Sequence, residues 1–108
     1  MMEHATEQDF PELYQLIRAY LNQDYTINGP ELEDSVYAFI EDSVPEVIQA
    51  AREDIARFLV TFPGNLDAAM EVFVRGDWAR LPGTTAHDYL LWLDGLLAGA
   101  LEHNGQHV

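Results

Sequence analysis

The sequence predicts an all-α protein: a single-domain bundle of about five helices with the C-terminal helix central. Three observations carry that prediction. Apolar residues recur at i, i+3, i+4 and i+7 in one segment after another, the alternation of a half-buried strand is nearly absent, and proline and glycine punctuate the chain at helix-length intervals. At 108 residues and 48% hydrophobic, the chain can build one continuous core, since a domain of this size buries roughly two-thirds of its unfolded surface. The expected domain is 1–108, with an ordered core over about 9–102.

The first helix should start near Asp9, with Pro11 where a missing N–H costs nothing, and run to about Asn22. Phe10, Leu13, Tyr14, Ile17, Tyr20 and Leu21 then share a stripe. Asn28-Gly29-Pro30 predicts a turn, and Pro30 can open a second helix, Glu31 to about Asp42, with Leu32, Val36, Phe39 and Ile40 inward. Val44, Val47, Ile48, Ala51, Ile55, Phe58, Leu59 and Phe62 mark a third helix of about five turns, ended by Pro63-Gly64. Asn65 is placed to cap a short fourth helix, Leu66 to Arg75, which Gly76 stops. Thr85 with Asp88 reads as an acid variant of the capping box opening a last helix, Ala86 to about Glu102. That helix is apolar on nearly every side, from Tyr89 and Trp92 to Leu101, which is the reason to place it at the centre.

Composition narrows the function. The absence of cysteine removes disulfides, thiolate metal sites and cysteine nucleophiles together. The N-terminal residues show neither the basic stretch nor the apolar run of a secretory signal, and no run approaches the ~18 apolar residues of a spanning helix, so a cytoplasmic location is expected. Nineteen acids against five bases give −14, and all five bases are arginine. The charge is uneven: residues 1–54 carry 13 acids and two arginines, a net of −11, against −3 for residues 55–108. Such a field argues against nucleic-acid and anionic-membrane partners and favours encounter with a basic protein.

Several chemistries can be weighed on the stretch YLNQDYTINGPELED. With Asp24 as position 1 of a calcium loop, Asn28 and Gly29 fall at positions 5 and 6, but Thr26, Leu32 and Ser35 occupy positions 3, 9 and 12, where ligands are needed. No metal site is therefore expected. Paired-carboxylate catalysis needs acids in unlike environments, whereas Glu31, Glu33, Asp34, Glu41 and Asp42 share one exposed helix. His87 has no ligand partner at i+3 or i+4, while His4, His103 and His107 fall near the ends. No nucleophile motif or phosphate loop is present, so neither catalytic residues nor a cofactor are expected.

What remains is a surface. Glu33, Tyr37 and Glu41 follow at helical spacing, Asp34 and Asp42 lie beside them, and Asp24, Tyr25 and Glu31 lead in, giving an acidic patch interleaved with tyrosine. Carboxylates supply charge-assisted hydrogen bonds to basic groups and rings supply contact area. Trp78 and Arg80, in the irregular stretch GDWARLPG, are secondary candidates: a loop tryptophan either anchors back onto the core or stands out as an interface residue.

The opening FPELYQLIRAYLNQDY is similar to the Pro-x-Leu…Tyr-[Phe/Leu]-x-Gln-Asp-[Trp/Tyr] pattern of a group of small helical immunity proteins from bacterial contact-dependent growth inhibition systems. An acidic helix (PELEDSVYAFIED), a long helix opened by Pro45-Glu46 and a closing helix of the type Y-x-x-W-L (DYLLWLDGLL) continue the likeness over most of residues 10–101. Residues 63–84 depart from it. The resemblance implies a non-enzymatic cytoplasmic protein that binds one-to-one to the toxic C-terminal domain of a delivered effector, often a basic enzyme such as a nuclease. The alternative class is an acidic adaptor or nucleic-acid mimic with no toxin; a small enzyme or metal sensor built on Asp24 is a further rival. Within the motif, Gln23 is expected to bond carbonyls at the end of the first helix, Asp24 to cap the following turn, and Tyr25 to pack over the core.

Overall fold

The computed structural model describes residues 6–79 and 83–105, with side chains to residue 102. Five helices follow in order: α1 (Pro11–Tyr20), α2 (Leu32–Asp42), α3 (Pro45–Thr61), α4 (Leu66–Val74) and α5 (Ala86–Gly105), with a 3₁₀ turn at Tyr25–Asn28 between the first two. No strand occurs among the described residues. The protein is all-α.

The core forms where the predicted stripes meet. Phe10, Leu13, Leu16, Ile17 and Leu21 from the first helical segment join Ile48, Ala51, Ile55 and Phe58 from α3, Met70 and Phe73 from α4, and Leu90, Leu93 and Leu97 from α5. Phe10, Phe58 and Phe73 interlock with centroids 5.1 to 5.8 Å apart. Such packing adds about 0.5–1.5 kcal/mol per aromatic pair beyond area burial.

α5 packs on α2, α3 and α4, as a central helix should. It is not enclosed, however. Leu91 is 48% exposed, and Gly95 and Gly99 lie on the same open side. The three helices packed on α5 do not surround its 20 residues, so one edge of it faces water despite its apolar composition.

The helix ends are tied by acids distant in sequence. α1 has Phe10 at its N-cap, which offers no side-chain acceptor. Asp54 of α3 supplies one instead: its Oδ2 accepts the N–H groups of Glu12 at 2.9 Å and Leu13 at 3.1 Å. The other carboxylate oxygen pairs with Arg57, which also donates to the Asp9 carbonyl and lies over the Phe10 ring. Asn65 stands at the N-cap of α4 as predicted, but its side chain makes no capping bond. Asp67 of that helix instead accepts the Ala86 N–H at 2.6 Å, and Thr85 Oγ1 accepts from the Asp88 N–H at 3.1 Å, so α5 is capped jointly. Pro30 does not open α2, which begins at Leu32. The Asp34 carboxylate takes the Glu31 N–H at 3.0 Å and leaves Glu31 as an extended N-cap, one residue later than the proline alone implied.

Candidate partner-binding surface

The corner after α1 positions the site. Asn22 holds it: its Nδ2 donates to the Arg18 carbonyl at 2.9 Å and its Oδ1 accepts the Asp24 N–H at 2.8 Å. These are the roles expected of Gln23 and Asp24. Asn22 displaces them because α1 ends at Tyr20, two residues before the expected end, which lets its short amide reach back over one turn to Arg18. Asp24 stands at the start of the 3₁₀ turn without a side-chain cap and is exposed. Tyr25 is half-buried, and its carbonyl accepts from Ser35 Oγ at 3.1 Å, which fastens the turn to α2.

The segment after α4 is drawn onto the same corner. The Ala79 N–H donates to the Leu21 carbonyl at 2.7 Å, the Gln23 N–H donates to Asp77 at 3.3 Å, and Arg18 reaches both Asp77 and the Val74 carbonyl. Trp78 is thereby folded inward. It is 5% exposed, stands edge-on to Tyr89 at 4.8 Å, and donates its indole N–H to Glu71 at 3.0 Å. That burial removes it as a protruding anchor. Arg80 lies outside the described residues.

These connections leave a cleft of about 670 Å³ between the 3₁₀ turn and first turn of α2 on one side and the start of α5 on the other. The size is within the ~300–1,000 Å³ usual for ligand sites. Tyr25, Trp78, Tyr89 and Trp92 contribute rings to its walls, and Glu31, Glu33 and Asp88 contribute carboxylates. Four of the sequence-predicted residues therefore converge here: Tyr25, Glu31, Glu33 and Trp78. Tyr89 and Trp92 were hidden from sequence reasoning because the apolar pattern of α5 marks them as core, and Asp88 because it reads as part of the helix cap. Tyr89 is indeed 2% exposed, yet its hydroxyl has no hydrogen-bond partner among the described residues, and burial pushes its pKa well above the usual tyrosine value.

Asp24, Asp34, Tyr37, Glu41 and Asp42 do not line the cleft, and Glu33, which does, also begins the row along α2. Glu33, Tyr37 and Glu41 are all exposed, Tyr37 to 46%. Asp34 is engaged in the helix cap, and Asp42 accepts the Tyr20 hydroxyl at 2.9 Å, a bond that raises the pKa of Tyr20. Glu31, Glu33 and Asp34 at the N-terminal end of α2 are favoured by the helix dipole. Glu41 and Asp42 at its C-terminal end are disfavoured by about 0.3–1 kcal/mol each, and no basic residue occupies that last turn. The arginine ion pairs among the described residues join Arg18 to Asp77, Arg52 to Asp94 and Arg57 to Asp54, and none reaches the patch. Ile27, 84% exposed on the 3₁₀ turn, and Val44, 57% exposed just after α2, add apolar surface at both ends.

A sequence model of the family described as "CdiI immunity protein" matches residues 9–97, and so runs through the 63–84 segment that departed from the expected pattern. The chain belongs to the CdiI immunity protein family. It is accordingly a toxin-neutralising immunity protein, and the family resemblance of the sequence holds. No curated protein and no solved structure matches it. No helix among the described residues is long and apolar enough to cross a membrane.

Proposed function

We propose that this immunity protein binds the toxic C-terminal domain of a contact-dependent growth inhibition effector, one copy to one, through the acidic and aromatic face formed by α2 and its lead-in turn. It acts without catalysis in the cytoplasm of the producing cell, by covering the active site or substrate path of a basic toxin such as a nuclease. One observation carries this reading. The carboxylates of Glu33 and Glu41 run along an exposed stripe with Tyr37 between them, and the arginine pairs of the described structure all lie elsewhere.

A stripe of that kind repels itself and, at Glu41 and Asp42, opposes the helix dipole. Its cost to stability is offset if a basic partner supplies the missing cations. Long-range attraction then raises the rate of encounter, while desolvated contacts at Tyr37 and Ile27 hold the complex.

Co-production in a toxin-sensitive host tests the reading. The protein encoded immediately upstream should be toxic through its C-terminal domain, and this chain should rescue growth. A toxic domain from which the chain gives no protection, or a harmless one, refutes it. The double charge reversal Glu33→Arg and Glu41→Arg should abolish rescue with the helical circular-dichroism spectrum unchanged, and full rescue by that variant would move the interface off α2.

A further inference from the structure

We infer that the cleft between the 3₁₀ turn, the first turn of α2 and the start of α5 is a socket for an arginine side chain of the toxin; the inference rests on the toxin-binding reading above. The cleft pairs two kinds of wall. The aromatic residues Tyr25, Trp78 and Trp92 and the acids Glu31, Glu33 and Asp88 all line it.

Each other class of side chain meets a cost there. An aliphatic group would fill the aromatic part but strip water from carboxylates that gain no partner. An acidic group would be repelled outright. A lysine ammonium would satisfy charge, yet it is a compact, strongly hydrated point charge that gives up its shell reluctantly. A guanidinium is planar and weakly hydrated, stacks on aromatic faces, and presents forked N–H donors that match carboxylates two at a time. It alone uses both walls.

The protein's own cations do not take this place among the described residues. Arg18, Arg52 and Arg57 are each committed to an acid outside the cleft, and Arg75 is not among the residues that line it. The cleft is also continuous with the exposed stripe, because Glu33 belongs to both: it lines the cleft and begins the Glu33, Tyr37, Glu41 row. A toxin docked along α2 therefore has the socket at one end of its footprint.

The test is a double-mutant cycle with the toxin domain encoded immediately upstream, made catalytically inactive and titrated by calorimetry. Each surface arginine of that domain is replaced by lysine and by alanine and measured against the wild-type protein and against Glu33→Gln and Trp92→Leu. Glu33 is exposed and its glutamine variant isosteric, so that arm stays folded even if Trp92→Leu loosens α5. One arginine should lose about tenfold or more in affinity on replacement by lysine as well as by alanine. Its loss should shrink to near nothing in the Glu33→Gln and Trp92→Leu backgrounds. If the toxin binds but no arginine is coupled to either cleft residue, the socket is refuted while the toxin-binding reading stands. If the wild-type toxin domain does not bind at all, the reading itself fails and the socket with it.

Discussion

Replacing Asp54 by alanine should destabilise the fold by about 3 kcal/mol, although the residue lies far from the proposed interface. The carboxylate is 5% exposed and accepts two main-chain N–H groups, from Glu12 and Leu13, at 2.9 and 3.1 Å. Hydrogen bonds to a charged group contribute roughly 1.5–3 kcal/mol each, which sets the upper end near 6 kcal/mol. Two effects reduce it. The Glu12 N–H is only part-buried and regains water, and burying a carboxylate has a desolvation cost that alanine removes. The pair with Arg57 adds little, because that side chain is 54% exposed. A loss of about 3 kcal/mol is a large share of the ~5–15 kcal/mol typical of a domain, and corresponds to a fall in Tm of roughly 12–24 °C at ~4–8 °C per kcal/mol. Asp54→Asn keeps one acceptor oxygen without the charge and should lose about half as much. Urea unfolding followed by circular dichroism measures both, with the midpoint shifting and the slope constant. A loss below about 1 kcal/mol for Asp54→Ala would refute the claim that α3 caps α1.

Asn22→Ala should cost about 1–2 kcal/mol because two hydrogen bonds at the end of α1 are lost, whereas Asp24→Ala, with no side-chain cap to lose, should stay within about 0.5 kcal/mol; thermal melts compare them. Gly29→Ala should lower the melting temperature and loosen the start of α2. Its φ of 143° is strained for an L side chain, and an added Cβ would meet Asp34, the residue that caps the helix. Tyr89 and Tyr20 have pKa values raised in the folded state, so their contribution is complete below the unfolded tyrosine value near ~10 and is lost as pH climbs from there through the folded values. Stability measured by urea titration should therefore fall on the alkaline side, and Tyr89→Phe should flatten that fall. At pH 7 the same variant should be neutral or more stable, since it removes a buried hydroxyl without a described partner. A clear loss at neutral pH would show that the hydroxyl is bonded.

The helices were legible because their apolar spacing is a local property. All five predicted segments fold within a few residues of the expected bounds, and the stripe of α3 is buried at Ile48, Ala51, Ile55 and Phe58 as its period requires. The caps were less so. Asp54 acts 41 and 42 residues from its partners and Asp67 acts 19 away, and no local pattern announces an acceptor supplied by another helix. The site was half legible for a related reason. The α2 acids announce themselves by charge and spacing, but Tyr89 and Trp92 look like core in a helix apolar all round, and Asp88 reads as a capping acid. The path of residues 77–79 across the end of α1 brings Trp78 and Ala79 to the wall of the cleft. The capping roles of Asp34 and Asn22 could not be told from surface roles, because each depends on backbone geometry at a turn rather than on residue type.

The central claim is that the acidic face of α2 steers and holds a basic toxin domain. The direct measurement is the association rate of this chain with the domain encoded immediately upstream, by stopped flow, at 10 mM and 150 mM salt, where the Debye length shrinks from about 30 Å to about 8 Å. The wild-type protein should lose about tenfold or more in association rate over that range, and Glu33→Arg with Glu41→Arg should remove both the salt dependence and most of the affinity. A rate that is flat with salt, together with unchanged affinity in the double variant, would contradict the account and leave the −14 charge as a means of staying in solution.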